Sequence, residues 1–184
     1  MKKLCSNVVL LDEVECDFLE DLARKQNVGK RSYQERSIKF ANMGWVNHYV
    51  GLLGESMVAY LTGGKIDREI YVSRDGGTDI LGLPKTVEVK TSLSRWTDLY
   101  VNAKHRSTPD VYVLVHQGEV PIRVDRKDMR STVRTMVAYG WVPGKEFREE
   151  SEYVGSPPPA WKLHKSKLRL FCDLMPYLYP VYGS

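Results

Sequence analysis

The stretch DVYVLVHQG, residues 110–118, constrains the fold more than any other part of the chain. Val111 to Val115 form an unbroken apolar and aromatic run, where a strand with one wet face would alternate. Such a run predicts a central strand buried on both faces, and therefore layers above and below it. The fold class expected is α/β (α+β), a central mixed β-sheet flanked by helices. With 184 residues, 42% of them hydrophobic and 27% charged, the chain can fill such a core. A single domain over 1–184 is expected, with its core in about 45–116. Residues 117–184 would extend the sheet and pack back on the core.

The neighbouring segments supply those layers. Val14, Phe18 and Leu22 recur at helical spacing and predict a helix over about 13–26, with Asp12 and Glu15 placed as a capping pair. WVNHYVGLLGESMVAYL, residues 45–61, predicts a mostly buried helix stopped by Gly63 and Gly64, with Glu55 as its one strongly polar intruder. REIYVS (68–73) predicts a short strand, and RDGGTDILG a turn into a second strand that carries Asp79. PKTVEVKTS predicts a third strand, with Val87 and Val89 on one face and Glu88 and Lys90 on the other. Residues 92–106 read as helix or loop, VPIRVDRKDM as a further strand and turn, and GSPPPAWKL as irregular because of its three prolines. The tail SKLRLFCDLMPYLYPVY is apolar enough to return to the core.

Other features narrow the class. Cys5, Cys16 and Cys172 are scattered, odd in number and lack zinc-ligand spacing, which predicts reduced thiols in a cytoplasmic protein. No segment approaches the roughly 20 apolar residues of a membrane span, so no membrane partner is expected. The formal charge of +4 permits a nucleic-acid partner without requiring one. The histidines, Trp141 and Trp161 read as structural, although His48 shares the helix of Glu55.

The chemistry gathers in TDILGLPKTVEVKTS, Thr78 to Ser92. Hard cations such as Mg²⁺ take oxygen ligands and keep several waters. Asp79 and Glu88, on neighbouring strands, could hold such an ion from two sides, with the Val89 backbone carbonyl as a third oxygen and Glu55 completing the shell or positioning a second ion. Lys90, on the face of Glu88, would orient a metal-bound water or neutralise charge in a phosphoryl transition state. Taken singly, Glu-Val-Lys is also an ordinary solvated strand face, and Asp79 beside Gly76-Gly77 is also a turn residue. The order helix Glu, strand Asp, then Glu-x-Lys in the next strand is the informative feature.

That order resembles the PD-(D/E)xK nuclease superfamily, whose members share the restriction-endonuclease-like core. The resemblance covers about residues 45–116, with Glu55 in GLLGES, Asp79 in GGTDILG, and Glu88 and Lys90 in VEVKTS. Thr78 stands where the motif often has Pro. The resemblance implies a Mg²⁺-dependent nuclease, with Mn²⁺ able to substitute, in which Asp79 and Glu88 ligate the metal and Lys90 assists the attacking water. DVYVLV, YGWVPGKEF and PAWKLHKSKLRLF are also similar to segments of small phage and prokaryotic members, implying a phage-encoded protein acting in the host cell. No residue role follows from this second likeness.

DNA would be the partner, gripped by phosphate-neutralising groups around the site. The candidates are Lys30 and Arg31 in the basic 24–39 stretch, and Ser92, Arg95, Lys104 and Arg106 after the Glu-x-Lys strand. Trp96 and Tyr100 could stack on an unpaired base or belong to the core. The size favours structure-dependent or weakly sequence-specific cutting. Endonuclease, exonuclease and Holliday-junction-resolvase-like activities all stay open, as does the oligomeric state: a homodimer suits cutting of paired strands and a monomer suits nicking. The alternative is a non-catalytic DNA-binding accessory protein that retains the nuclease fold.

Overall fold

The computed structural model describes residues 7–11, 13–31, 44–68, 78–94, 97–104, 108–117, 135–155 and 158–180. The expected strand at 68–73, the segment VPIRVDRKDM and the capping residue Asp12 lie, wholly or nearly so, outside the described residues.

The order is β1 (Val8–Leu10), α1 (Glu13–Arg31), α2 (Gly44–Thr62), β2 (Lys65–Ile66), β3 (Ile80–Leu81), β4 (Val87–Ser92), β5 (Leu99–Asn102) and β6 (Val111–Gln117). There follow β7 (Thr135–Pro143), α3 (Gly144–Glu150), β8 (Glu152–Val154), β9 (Ala160–Leu163), two 3₁₀ turns (Lys165–Lys167 and Phe171–Asp173) and α4 (Leu174–Leu178). The principal sheet runs β1-β7-β6-β4. Its β4 and β6 are parallel, and its other pairs are antiparallel. A β2-β3 ribbon and a β5-β9-β8 sheet complete the strands. The fold is thus mixed α/β with a mixed sheet flanked by helices, as the central run required.

β6 explains the layering. Val111, Val113 and Val115 join a core that includes Leu19, Leu53, Met57, Val87, Val89, Leu174 and Leu178, so α1, α2 and α4 cover that face. Tyr112 and Leu114 point the other way, into a second cluster with Leu99, Val101, Val142, Phe147 and Leu163. There the three-stranded sheet and α3 form the cover. Each fully buried Leu or Met contributes about 1.5–3 kcal/mol relative to exposure. α2 is buried almost all round because it lies between α1 and the sheet. Gly63 ends it at φ +73°, the left-handed conformation that halts a helix.

Two expectations change. Within 92–106, where helix or loop was expected, the described residues carry a strand: Leu99 and Val101 are buried and alternate with exposed Tyr100 and Asn102, which makes β5. The connection between parallel β4 and β6 therefore carries a strand of the second sheet where a helix is usual. GSPPPAWKL is not irregular throughout, because Ala160–Leu163 forms β9 directly after Pro158 and Pro159. Trp141 is buried and its indole donates to the Leu170 carbonyl at 3.0 Å, whereas Trp161 is 41% exposed with Tyr153 at its edge.

Candidate functional site

β4 is an edge strand of the principal sheet, and the sequence-predicted residues meet it from three directions. On the face of the second cluster, Lys90 Nζ donates to Glu88 Oε1 at 2.5 Å. Glu88 is only 7% exposed, so this is a largely desolvated pair whose strength depends on both members being present. Across on β6, Glu88 opposes Tyr112 and Lys90 opposes Leu114. Burial first, and then the Glu88 charge, push the Tyr112 phenol up to about 12, which keeps it a neutral neighbour.

Along the open edge, Thr78 and Asp79 supply the partners that β4 lacks on that side. Val87 N–H donates to Thr78 Oγ1 at 3.1 Å, Asp79 N–H donates to the Val87 carbonyl at 2.8 Å, and Val89 N–H donates to Asp79 Oδ2 at 2.6 Å. The Asp79 carboxylate is thereby fixed beside the residue that separates Glu88 from Lys90. In an extended strand a residue's N–H and C=O share a side, so the Val89 carbonyl faces the Asp79 edge as well. Thr78, the departure from the family motif, is a working part of this edge, because its hydroxyl bridges the backbone of Val87.

From the helical face, α2 crosses β4 at Gly54 and Thr91. The helix can come this close only because Gly54 has no side chain: a β-carbon there would lie 2.0 Å from Thr91 Oγ1. Thr91 Oγ1 also donates to the Gly51 carbonyl at 3.5 Å. Glu55 flanks the crossing, its Oε1 3.7 Å from where a Gly51 β-carbon would be. With His48 and Gly51 it forms a half-buried stripe on a helix that is otherwise mostly buried. Glu55 therefore approaches from the face opposite Glu88 and Lys90, with Asp79 at the edge between. Among the described residues no three Asp, Glu, His or Cys side chains are gathered closely enough to hold a metal ion by themselves.

The expected DNA contacts are dispersed or lie outside the description. Arg95 and Arg106 are outside the described residues, and Lys30 and Arg31 are the last two residues of α1. Ser92 ends β4, its hydroxyl 2.9 Å from Thr97 Oγ1. Lys104 is exposed in the turn after β5, where its N–H donates to Asn102 Oδ1. Tyr100 is exposed on β5.

The sequence reading passed over His116. It lies opposite Ser92 at the carboxyl end of β6, is 2% exposed, and stacks on Tyr139 with ring centroids 5.0 Å apart. Its Nε2 has no hydrogen-bond partner among the described residues. The available signal was a polar residue ending an otherwise apolar central strand.

A separate cleft of about 1320 Å³ lies between β1, the end of α2 and the β2-β3 ribbon, lined by Glu15, Tyr60, Lys65, Arg68 and Leu81 among others. None of Glu55, Asp79, Glu88 or Lys90 lines it. No described helix is long and apolar enough to cross a membrane. No protein family, curated protein or solved structure matches this chain.

Proposed function

We propose that the chain is a Mg²⁺-dependent DNA nuclease with a variant restriction-endonuclease-like core. The observation that carries this reading is the geometry at Val89: Glu88 and Lys90 pair on one face, and Asp79 is docked on the intervening amide at 2.6 Å. The element order supports it too, with Glu55 on α2, Asp79 before β3, Glu-x-Lys on β4, and β6 parallel to β4. The strand-bearing connection between β4 and β6 is what makes the core a variant.

The donor set is all oxygen, which suits Mg²⁺, an ion bound through one or two carboxylates while waters and phosphate oxygens fill the rest. Asp79, Glu88 and the Val89 carbonyl would hold it, whereas Glu55 lies across the strand on the α2 face. When bound, the ion supplies Lewis-acid polarisation of the phosphoryl group and a lowered pKa of bound water. Asp79 is held in place by the Val89 amide, and Lys90 contributes positive charge where the phosphorane gains negative charge. Incubation with duplex, single-stranded, flapped and four-way-junction DNA, with Mg²⁺, Mn²⁺ or EDTA, tests the reading. Metal-dependent products that vanish in Asp79→Ala, Glu88→Ala and Lys90→Ala are expected. Undiminished cutting in EDTA or in any of these variants would sink the mechanism.

A second reading is a DNA-binding accessory protein that keeps the core. It is favoured by the Glu88–Lys90 pair, in which each group already satisfies the other, and by the lack of a gathered three-ligand set among the described residues. Binding in a mobility-shift assay, without product on any substrate, would select it.

A further inference from the structure

We infer that the DNA backbone is held in a second cleft, between α3 and α4, with Arg148 and Lys85 as its phosphate contacts. This assignment rests on the DNA partner of the reading above, and not on hydrolysis. The cleft, of about 480 Å³, opens at the end of the principal sheet where β4 and β6 begin and β7 ends. Asp110, Lys145, Arg148, Glu149 and Tyr177 are among its lining residues.

The walls are built in advance of any ligand. Gly144 opens α3 directly against the preceding loop: its N–H donates to the Asp110 carbonyl at 2.9 Å, and the Pro109 carbonyl leaves no room for a β-carbon. Phe147, one residue before Arg148, is buried against Tyr112 with ring centroids 4.7 Å apart. On the other wall Tyr177 packs on Trp141, with centroids 4.6 Å apart. Lys85 stands at the rim, its ammonium 4.3 Å from the centre of the Tyr177 ring.

Charged side chains on a surface usually serve one another. Lys162, Lys167 and Arg169 do so, each in an ion pair with a glutamate. Arg148 and Lys85 form no such pair among the described residues, and the Tyr177 hydroxyl has no hydrogen-bond partner among them. Lys145 adds a third cation, only loosely matched to Glu149 at 3.9 Å with both side chains exposed. Asp110, the other acid, turns Oδ2 to the N–H and Oγ1 of Thr86. What is left over is positive charge with N–H and O–H donors, and a guanidinium fork matches paired phosphate oxygens.

The cleft also lies on the way to the acids of β4. α3 covers the sheet face that bears Glu88 and Lys90. Thr86, bonded to Asp110, stands two residues before Glu88, about 7 Å along an extended strand. At about 3.4 Å of rise per nucleotide, a DNA strand seated in the cleft reaches the Asp79 edge within a few nucleotides.

Anisotropy of a labelled DNA duplex titrated with the full chain in EDTA, between about 50 and 200 mM KCl, tests this. Arg148→Gln and Lys85→Gln are each expected to weaken binding roughly 5–10-fold near 0.1 M salt and to reduce the salt slope by about 1. Lys167→Gln, whose cation pairs with Glu150 outside the cleft, should change neither. Wild-type affinity and slope in both cleft variants overturns the assignment and leaves the nuclease reading standing. An equal loss in Lys167→Gln overturns it too, because net charge alone would then be at work. Affinity for polyglutamate that falls in the cleft variants, while DNA affinity does not, gives the cleft to an acidic peptide and overturns it as well. Should Lys85→Gln not fold, Arg148→Gln decides alone, its side chain being exposed. DNA bound through the cleft but never cut with Mg²⁺ or Mn²⁺ supports the assignment and overturns the hydrolytic reading. A wild-type chain that binds no DNA overturns both.

Discussion

Gly54→Ala probes the crossing of α2 over β4. The new β-carbon would meet Thr91 Oγ1 at 2.0 Å and both Thr91 Cβ and Cγ2 at 3.1 Å. Turning the hydroxyl aside relieves the first contact only, so α2 has to lift by a few tenths of an ångström. That stretches the hydrogen bond from Thr91 to the Gly51 carbonyl, already 3.5 Å long. Overpacking of this kind costs about 1–3 kcal/mol, and alanine returns about 1 kcal/mol of helix propensity. The single variant is therefore expected to lose about 0–2 kcal/mol, too broad a range to be decisive. The coupling is decisive. Thr91→Ala removes Oγ1 and Cγ2 and costs about 1 kcal/mol alone, while the double variant keeps the propensity gain and retains only the milder Cβ contact at 3.1 Å. The double variant should exceed the sum of the singles by about 1–3 kcal/mol. Urea unfolding followed by tryptophan fluorescence measures it, with an unchanged m-value showing that only stability moved. A coupling below about 0.5 kcal/mol would refute the reasoning, because the helix would then not be seated on Thr91.

The other predictions concern separate parts of the molecule. Glu88→Gln/Lys90→Met together should destabilise less than Lys90→Met alone, which strands a buried carboxylate and should cost about 3 kcal/mol or more; equal midpoints in thermal melts would contradict this. Asp110 Oδ2 accepts from Thr86 N–H at 2.8 Å and Thr86 Oγ1 at 2.9 Å, tying the starts of β4 and β6 and holding the Asp110 carboxyl below its ordinary 3.8. A depressed carboxylate stabilises above its unfolded pKa and loses that effect as pH falls through the folded value. Asp110→Ala should therefore cost about 1 kcal/mol at pH 7, discounted for exposure, with the gap narrowing as pH falls below 3.8 and through the lower folded value; a gap independent of pH would show that the charge is irrelevant. Trp141→Phe should lose about 1–2 kcal/mol by leaving the Leu170 carbonyl without its indole donor. Unchanged stability in urea would assign Trp141 a packing role alone.

What the sequence disclosed follows the range of the forces involved. α2, β4 and β6 were legible because burial writes a local pattern: an apolar helix with a glycine stop, parity in VEVKTS, and an unbroken run in DVYVLV. Parity also put Glu88 and Lys90 on one face, which their ion pair confirms. β5 was hidden because four alternating residues among polar neighbours give little periodicity, and β9 because prolines precede it. That Glu55 and Lys90 lie on opposite faces of β4 depends on which side α2 packs, a tertiary choice with no local signature. His116 escaped notice for the same reason: its burial comes with stacking on Tyr139, at a bulge on another strand.

The pairing of β1 with β7 has a consequence in time. Asn7 and Ala138, 131 positions apart, bond through both side chain and backbone, and Val8 sits opposite Val137. At about 5–20 residues per second, a ribosome takes on the order of ten seconds between releasing one partner and the other. Through that interval β1 has no strand to join, while α1 and α2 can already pack together. The start of the chain is thus the last part of the principal sheet to find its place, and refolding from denaturant should show β1 docking as a late, slow phase.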